Sequence, residues 1–344
     1  MVTLKEIAKR CGVSAATVSN ILNGRAKAGE ETRQRVLEVI KETGYQPNYI
    51  ARGLRNKKTN MIGIIAEDIV QFSTPEMIES IMAYCEEKGY KVILQNMRFY
   101  MRWRSEWQRK ENEYNTVLKD ALQEMLSIKV DGIIYLAGHA RVVNCFPEDM
   151  GIPGVVAYAY AADRRYSSIV IDDVKGAYDM TKYLISMGHR KIGVIGGRQD
   201  NIHTQKRLSG FQQALFEEQV LYNPEWIHYG NWDKESGYEE TKHLMKKGVT
   251  AIFAFSDKMA GGVYEYLYEC GLKAGEDISV AGYDKEDISQ YFQPALSTVE
   301  LPLCEIGYQA ARQIIDLVEK EDGKEGTVME LPCSLIIRNS VKKI

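Results

Sequence analysis

The sequence lacks the features that usually identify metal sites, secreted proteins and membrane proteins. Its six cysteines are far apart, the closest pair being Cys304 and Cys333, so no Cys-x-x-Cys metal or redox motif occurs. The longest uncharged apolar stretch runs only from Gly154 to Ala162, well short of the roughly 20 residues that cross a bilayer. Lys5 and Glu6 stand where a signal peptide would need an apolar core. We therefore expect a cytoplasmic protein with buried free thiols, no metal and no membrane partner.

The usual motifs of nucleotide-dependent and hydrolytic enzymes are missing as well. The glycine-rich run Gly193–Gly197 does not have the Gly-x-Gly-x-x-Gly spacing, and no Gly-Lys-Ser/Thr phosphate loop is present. Among five histidines, His189 and His203 flank the glycine-rich run, but no Ser-His-Asp or Cys-His set stands out. We expect no catalytic residues and no cofactor. An enzyme on a doubly wound nucleotide-binding fold stays as an alternative, which a turnover assay with sugars and nucleotides would test.

The net charge of −3 conceals an uneven distribution along the chain. Residues 1–60 hold 12 Lys and Arg against 5 Asp and Glu, a local charge of +7, and the other residues carry −10. The 344 residues are 45% hydrophobic and 26% charged, an ordinary globular composition and enough for two or more domains. The charge pattern predicts a small polyanion-binding module joined to a larger acidic body.

The basic N-terminal segment has the pattern of a helix-turn-helix. Thr3-Leu4-Lys5-Glu6 is a capping box, Gly12-Val13 ends the first helix, and Ser14 can cap a second helix. A third helix is predicted from Glu30 to Thr43. In a helix-turn-helix the start of the second helix enters the major groove. A purely structural three-helix cap is the alternative. The candidates to face base edges are Ser14, Ala15, Ala16, Thr17 and Asn20.

Three segments of this region resemble the LacI/GalR family of bacterial transcription regulators, namely Val13–Asn23, Thr32-Arg33 and Tyr45–Leu54. The resemblance implies a ligand-responsive regulator, expected to be a repressor, that binds a palindromic double-stranded operator as a homodimer in the bacterial cytoplasm, associated with the nucleoid. It also implies that residues 47–59 are a hinge helix and linker, and that the hinge pushes Leu54 into the minor groove as a wedge. A plain charged linker is the alternative for that segment.

By the same resemblance, the operator contacts come from the first two helices and the hinge. The position of Asn20 is often arginine in this family. Arginine favours guanine, whereas asparagine can bond adenine in bidentate fashion, so we expect an operator half-site that differs from the common one. The implied contacts are Thr3, Leu4, Ser14, Ala15, Ala16, Thr17, Ser19, Asn20, Asn23, Asn48, Ala51, Arg52 and Leu54.

From residue 60 onward, apolar strands alternate with amphipathic helices. This alternation indicates parallel α/β sheets, with enough strands for two of them. The motifs at 188–192, 207–211, 256–260 and 282–284 resemble the family's periplasmic-binding-protein-like effector domain, which has two parallel-sheet lobes. We expect a helix-turn-helix domain at 1–46, the hinge and linker at 47–59, and an effector-binding and dimerisation domain at 60–344. Lobe one spans about 60–166 plus 296–323, and lobe two about 167–295 plus 324–340. Strands are predicted at 61–66, 92–94, 131–136, 155–156, 169–171, 192–195, 251–254 and 279–283.

Ligands of parallel sheets bind outside the carboxyl ends of the strands. By the resemblance, Arg207 and Asp284 hold the effector, Trp232 stacks on it and Ser256 contacts it. An aromatic face beside paired polar groups suits a sugar first and a purine next. Alternatives remain open: Arg207 and Asp284 as an interdomain ion pair, and the carboxylates at 172, 173 and 257 as helix caps. The implied effector contacts are Phe72, Tyr158, Arg207, Trp232, Ser256 and Asp284.

Three departures complete the sequence-based expectations. Tyr158 and Tyr160 stand where many relatives have a charged group. The helical stretch between Asn96 and Asp131 is about 14 residues longer than usual, and it places Trp103 and Trp107 on one helical face. This extra segment either shapes the pocket mouth, binds a partner, or is a longer solvated helix. Because the chain ends at residue 344 without an apolar heptad tail, we expect a dimer. A periplasmic solute-binding protein is the competing hypothesis for the acidic body.

Overall fold

The chain divides into two units, Met1–Asn60 and Met61–Ile344. The structure is a computed structural model that describes residues 2–22, 28–45, 58–103, 111–320 and 326–344. Most of the expected hinge at 47–59 lies outside the described residues, as do Asn23, Asn48, Ala51, Arg52, Leu54 and Trp107. Those expectations stay predictions.

The small unit consists of three helices: α1 (Leu4–Cys11), α2 (Ala15–Leu22) and α3 (Glu30–Thr43). Each helix contributes a fully buried residue to one core, since Ile7, Val18 and Val36 have no exposed surface. The predicted bounds of α3 are confirmed. The unit is therefore the helix-turn-helix arrangement that the capping and periodicity signals predict.

Local hydrogen bonds fix where α1 and α2 begin and end. The Thr3 amide donates to Glu6 Oε2 at 2.7 Å, and the Glu6 amide donates to Thr3 Oγ1 at 3.3 Å, which is the reciprocal capping box. These bonds lower the pKa of Glu6. Gly12 adopts a left-handed φ of 64° that closes α1. The Ser14 hydroxyl then accepts from the Thr17 amide at 3.0 Å and starts α2.

The large unit alternates strands and helices along its length. Its helices are α4 (Thr74–Glu87), α5 (Phe99–Trp103), α6 (Glu111–Ile128), α7 (Asp173–Ser186), α8 (Ile202–Glu217), α9 (Lys234–Lys246), α10 (Asp257–Glu269) and α11 (Leu303–Lys320). Its strands are β1 (Met61–Ala66), β2 (Lys91–Asn96), β3 (Gly132–Leu136), β4 (Val142–Val143), β5 (Gly154–Ala157), β6 (Tyr160–Ala161), β7 (Ser167–Asp172), β8 (Ile192–Gly196), β9 (Ile227–Tyr229), β10 (Ala251–Ala254), β11 (Ser279–Ala281), β12 (Thr298–Glu300), β13 (Val328–Pro332) and β14 (Ser334–Ile336).

Ten of the described strands form two parallel sheets, one in each lobe, while β12 pairs antiparallel with β14 and β4 pairs with β6. The first lobe has a six-stranded sheet in the order β13-β7-β5-β3-β1-β2, and the second has a four-stranded sheet in the order β11-β10-β8-β9. Every pairing within these two sheets is parallel. The central strands β1, β3, β5, β8 and β10 are buried along their whole length, which is typical of parallel sheets covered by helices on both faces. The expected fold class is confirmed.

The lobe boundaries differ from those expected from the sequence. β7 begins at residue 167 but pairs with β5, and β13 pairs with β7, so both belong to the first lobe. The expected boundary after 166 is one strand too early, and the segment 324–340 is shared rather than part of lobe two. Sheet membership depends on pairing between distant segments, which the local pattern does not encode.

The strands that the sequence pattern missed are short or exposed. β9 and β12 have only three residues each, and β13 is exposed at four of its five positions. Short strands and exposed strands both lack the continuous apolar run by which a buried strand is recognised in a sequence. The cysteines are free, but only three are buried; Cys270 and Cys304 are exposed, contrary to expectation. None of the described helices is long and apolar enough to span a membrane.

Candidate nucleic-acid interface and ligand cleft

The candidate DNA-reading residues lie on the surface of α2. Ser14, Ala16 and Asn20 are exposed, and Ala15, Thr17 and Ser19 are half-buried. Ala16 and Asn20 are one turn apart and therefore share one face. The buried residues of α2, Val18 and Ile21, lie on the other side. The amphipathicity of this short helix thus leaves a small polar surface open to a partner.

The remaining described candidates flank that surface. Thr3 is exposed and Leu4 half-buried at the start of α1. The hydroxyls of Ser14 and Thr17 are 2.9 Å apart and hydrogen-bonded to each other. An operator contact by either hydroxyl would therefore be made by a side chain whose position is already fixed. The five candidates outside the described residues, four of them in the hinge segment, are not placed by the structure.

In the large unit, the ligand-holding candidates converge on a buried arginine. Arg207 is only 2% exposed, and its Nε donates to Asp173 Oδ1 at 2.7 Å. Its Nη1 donates to the Phe255 carbonyl and to Asp284 Oδ1, the latter at 3.3 Å. His203 Nδ1 lies 2.7 Å from the other oxygen of Asp173. We call Arg207, Asp173, Asp284 and His203 the Arg207 cluster.

The two carboxylates of the Arg207 cluster are in different electrostatic states. Burial raises the pKa of Asp284 to about 7, although the charge of Arg207 opposes the shift. For Asp173 burial also acts to raise the pKa, but the charges and hydrogen bonds of His203 and Arg207 outweigh it and the pKa is lowered. Asp173 is therefore the fixed counter-ion of Arg207. Asp284, with its longer contact, is the carboxyl whose protonation can change near neutral pH.

Aromatic rings surround the guanidinium of Arg207. The ring of Tyr283 lies 3.6 Å from its central carbon and that of Trp232 5.7 Å, within the range of cation–π attraction. A β-carbon at Gly197 would stand 2.0 Å from the Trp232 ring. Gly197 ends the glycine-rich run that lacks the dinucleotide-binding spacing, and its missing side chain leaves space for the Trp232 ring.

The backbone is strained at three of the candidate residues. Tyr158, Trp232 and Asp284 have φ angles of 65°, 67° and 103°. Non-glycine residues in the left-handed region cost about 1–3 kcal/mol and cluster at functional sites. Only eight described non-glycine residues have positive φ. Tyr158 follows β5 of the first sheet, whereas Trp232 and Asp284 follow β9 and β11 of the second, so the strained residues lie after the carboxyl ends of strands in both lobes, where ligands of parallel sheets bind.

Ser256 and Phe72, the other two effector candidates, do not contact Arg207 or Asp284 through a hydrogen bond in the described structure. The Ser256 hydroxyl accepts from the Met259 amide at 3.2 Å and caps α10, so its oxygen already has a structural partner. Asp257 is not the cap; its carboxylate accepts from Thr298 at 2.6 Å and from the Glu286 amide at 2.8 Å. Phe72 belongs to the first lobe and lies 5.6 Å from the ammonium of Lys258.

The structure also decides the alternatives that concern helix caps and ion pairing. Asp172, not Asp173, caps α7, accepting from the Lys175 amide at 2.9 Å. Arg207 and Asp284 do pair, but both belong to the second lobe. Arg207 lies in the second turn of α8, which begins at Ile202 after its cap, Asn201.

Sequence reasoning missed His203 and the true role of Asp173. His203 precedes Arg207 by four residues, so both lie on one face of α8, and that spacing was the available signal. Its Nε2 accepts from the Ala140 amide of the first lobe at 2.9 Å. Tyr158, also of the first lobe, lies 5.4 Å from the His203 ring. The Arg207 cluster is therefore linked to both lobes.

Comparisons with known proteins agree with this architecture. Residues 3–48 match the family described as bacterial regulatory proteins, lacI family, and residues 181–341 match the periplasmic binding protein-like domain. The HTH-type transcriptional repressor PurR of Klebsiella pneumoniae (strain 342) is 34% identical, with 99% of this chain and 97% of that protein covered. The ribose operon repressor of Haemophilus influenzae is 29% identical, with 99% of both covered. The lac repressor dimer bound to operator and the anti-inducer ONPF has the same fold, with a TM-score of 0.79, 23% identity and 99% of both chains covered.

Proposed function

Because the chain belongs to the LacI family of bacterial regulatory proteins and is a ligand-responsive DNA-binding transcriptional regulator, we propose that it is a repressor that binds a palindromic operator as a homodimer. The observation that carries the control mechanism is the Arg207 cluster, a buried guanidinium shared by two carboxylates and flanked by two rings. A solute-binding role is not favoured, since residues 3–48 match a DNA-binding family and the described part of them folds as three helices.

The DNA-reading role falls to the exposed face of α2. Asn20 is the residue suited to base discrimination, because its amide can donate to and accept from an adenine edge at once. Ala16 offers only a methyl group to a thymine. The local charge of +7 would hold the phosphate backbone without reading sequence. The hinge candidates Asn48, Ala51, Arg52 and Leu54 are proposed to add minor-groove contacts.

The effector is proposed to bind against Arg207, Asp284 and Trp232, with Tyr158 and Phe72 from the first lobe closing over it. The hydrogen bonds of Arg207 to described residues use Nε and Nη1, so Nη2 is the donor offered to a ligand. Asp284 offers an acceptor whose charge changes near neutral pH, and Trp232 offers a ring face. A sugar ring or a purine presents complementary groups. Ser256 is proposed as a contact through its remaining lone pair.

Three finer statements follow from the same proposal. The protein is a sensor and not an enzyme, so a bound effector leaves unchanged. It acts in the cytoplasm, where its operator is. Two copies bind the two half-sites of the operator; the solved lac repressor structure is a dimer bound to operator.

Operator selection from randomised DNA tests the reading role of Asn20. Asn20→Ala should weaken binding by about 1–3 kcal/mol and relax the preference at one base pair of each half-site. Gln34→Ala is the matched control, because Gln34 is an exposed amide on α3. An unchanged base preference in Asn20→Ala would contradict the assignment.

A thermal-shift screen against sugars, sugar phosphates and purines tests the effector class, because a ligand that binds only the folded protein raises its stability. The active compound should change operator affinity by about 5–150-fold. Arg207→Gln should lose both effects and still bind operator, whereas Arg165→Gln, at an exposed arginine, should lose neither. If no compound of these classes stabilises the protein, the proposed effector class is wrong.

A further inference from the structure

Two polar links join the lobes of the large unit, and both start from the first two turns of α8. His203 Nε2 accepts from the Ala140 amide at 2.9 Å. Three residues further along the helix, Lys206 Nζ donates to Tyr160 Oη at 2.7 Å and to Glu330 Oε1 at 2.6 Å. Residues three apart lie on one face of a helix, so the same face of α8 makes both links to the first lobe.

The acceptors of Lys206 belong to the first lobe. Glu330 lies in β13, an edge strand of the six-stranded sheet, and Tyr160 begins β6, which pairs with β4. The Tyr160 amide donates to the carbonyl of Arg141 at 2.9 Å, and Arg141 directly follows Ala140. The first-lobe ends of the two links are therefore neighbours. A movement that separates the lobes at this point lengthens both links at once.

We propose that Lys206, Tyr160 and Glu330 form an interlobe clasp, which holds the lobes closed over the effector site when no effector is bound and sets how easily they separate. The proposal rests on the proposed function, since closure over Arg207 has a regulatory effect only if the effector binds there. It adds a regulatory ion pair outside the proposed effector contacts, and it gives a role to Tyr160, which none of those contacts uses.

The closed lobes bury the candidates for effector binding. Arg207 is 2% exposed and Asp284 8%. Tyr158 of the first lobe is also buried, and its ring lies 5.4 Å from that of His203 in the second. An effector therefore reaches Arg207 only after the lobes separate. Because the clasp opposes this separation, it controls the population of the open form that the effector can enter.

The clasp is the charged one of the two links. Partial burial acts to lower the pKa of Lys206, but its hydrogen bonds to Glu330 and Tyr160 outweigh burial and the pKa is raised, so the ammonium stays charged. The Lys206 side chain is 28% exposed and that of Glu330 43%. Salt at about 1 M, where the Debye length is about 3 Å, screens such a pair. His203 and Ala140 are buried, and salt screens buried groups much less.

Hydrogen–deuterium exchange of the full-length protein without ligand measures how often the lobes separate. The Ala140 amide is bonded across the lobes, so the segment 138–144 exchanges faster when they open. β10 lies inside the second sheet and reports unfolding instead. At low salt, Lys206→Met should speed exchange in 138–144 by about threefold to fivefold and leave β10 unchanged. At about 1 M salt the difference from the native protein should shrink.

Lys182→Met is the matched control, because Lys182 pairs with Glu218 inside the second lobe and is similarly exposed. Its exchange should equal that of the native protein. The double variant Lys206→Glu/Glu330→Lys keeps two opposite charges in reversed order. It should recover most of the native exchange rate in 138–144, which a loss of packing at Lys206 would not allow.

Equal exchange in Lys206→Met and Lys182→Met would overturn the proposal. So would an increase that β10 shares, that about 1 M salt leaves unchanged, or that the charge-reversed double variant retains. Failure of the proposed function looks different. The proposed function predicts that opening the lobes changes operator affinity. If Lys206→Met opens the lobes but binds operator as Lys182→Met does, the clasp stands and the control of DNA binding by lobe closure does not.

Discussion

The large unit buries two arginine–carboxylate clusters, and they are built on different principles. In the first lobe, Glu67 accepts hydrogen bonds from Tyr135 at 2.5 Å, from the Gly138 amide at 2.8 Å and from Arg141. We call these residues, with Tyr114, the Glu67 cluster; Tyr114 is linked to it through Tyr135 at 2.8 Å. In the second lobe stands the Arg207 cluster described above.

The difference lies in how charge is balanced. The Glu67 cluster pairs one carboxylate with one guanidinium, and both oxygens of Glu67 are occupied. The Arg207 cluster has two carboxylates for one guanidinium, a pKa of about 7 at Asp284, and a φ of 103° at the same residue. A saturated pair rigidifies the structure, whereas an imbalanced and strained one stores free energy that a ligand can release. The comparison is consistent with our proposal that the Arg207 cluster senses the effector, and it leads us to propose a structural role for the Glu67 cluster.

The largest expected effect is on stability, from breaking the saturated pair. Glu67→Gln removes the negative charge and leaves the Arg141 guanidinium without its counter-ion. The side chain at position 67 is only 2% exposed and both of its oxygens accept from donors, so the amide nitrogen of the glutamine would face a donor while the half-buried Arg141 loses its counter-ion. The free energy of unfolding should therefore fall by about 3 kcal/mol. Urea denaturation measures this loss, and effector affinity in the surviving folded protein should change little.

Glu79→Gln is the control for that experiment. Glu79 lies exposed on α4, and a surface substitution of this kind should stay within about 0.5 kcal/mol. If Glu67→Gln lowered the free energy of unfolding no more than Glu79→Gln does, the structural role of the Glu67 cluster would be wrong.

The next effect concerns the pH dependence of stability at Asp284. Its folded pKa of about 7 exceeds the unfolded value, so the folded state binds more protons and stability falls as pH rises from about 4 to about 7. Asp284→Asn removes this titration. Without ligand, the stability of the variant relative to the native protein should be higher at about pH 8 than at about pH 5, by on the order of 2–3 kcal/mol. Thermal unfolding at the two pH values measures the difference.

Asp287→Asn provides the matched control, since Asp287 is exposed three residues further along the same segment. It should leave the pH profile of the native protein unchanged. An Asp284→Asn variant that is destabilised equally at both pH values would show that Asp284 is a structural ion-pair partner and not a titratable sensor.

The sequence predicted most of the local structure and only part of the Arg207 cluster. The bounds of α3 and β1 follow from caps and from an unbroken apolar run, both of which are encoded within a few neighbouring residues. Arg207 and Asp284 were placed together by family resemblance, not by derivation. Their proximity depends on the pairing of β8 with β10 and of β10 with β11, which is a long-range property.

The rest of the cluster could not be predicted because its signals are ambiguous. Asp172 and Asp173 are adjacent carboxylates after a strand, and either could cap α7 on sequence alone. The structure uses Asp172 as the cap and buries Asp173 beside Arg207. His203 is a single histidine in a helix. Only the loop of the other lobe, which brings the Ala140 amide to its Nε2, distinguishes it from an ordinary core histidine.

The smallest expected effect compares the hydroxyl of Tyr135, in the Glu67 cluster, with that of Tyr283, whose ring packs against the Arg207 cluster. Tyr135→Phe removes a hydroxyl that bonds Glu67 and Tyr114, and it should cost about 1 kcal/mol of the free energy of unfolding. Tyr283→Phe removes a hydroxyl whose contacts, to the Asp173 carbonyl at 3.5 Å and Cys333 Sγ at 3.7 Å, are long. This substitution should lower the free energy of unfolding by less than about 0.5 kcal/mol, because Tyr283 contacts Arg207 through its ring, which phenylalanine retains. Equal losses in urea denaturation would mean that the two clusters hold their tyrosines in the same way. A larger loss for Tyr283→Phe would reverse the assignment of the saturated cluster.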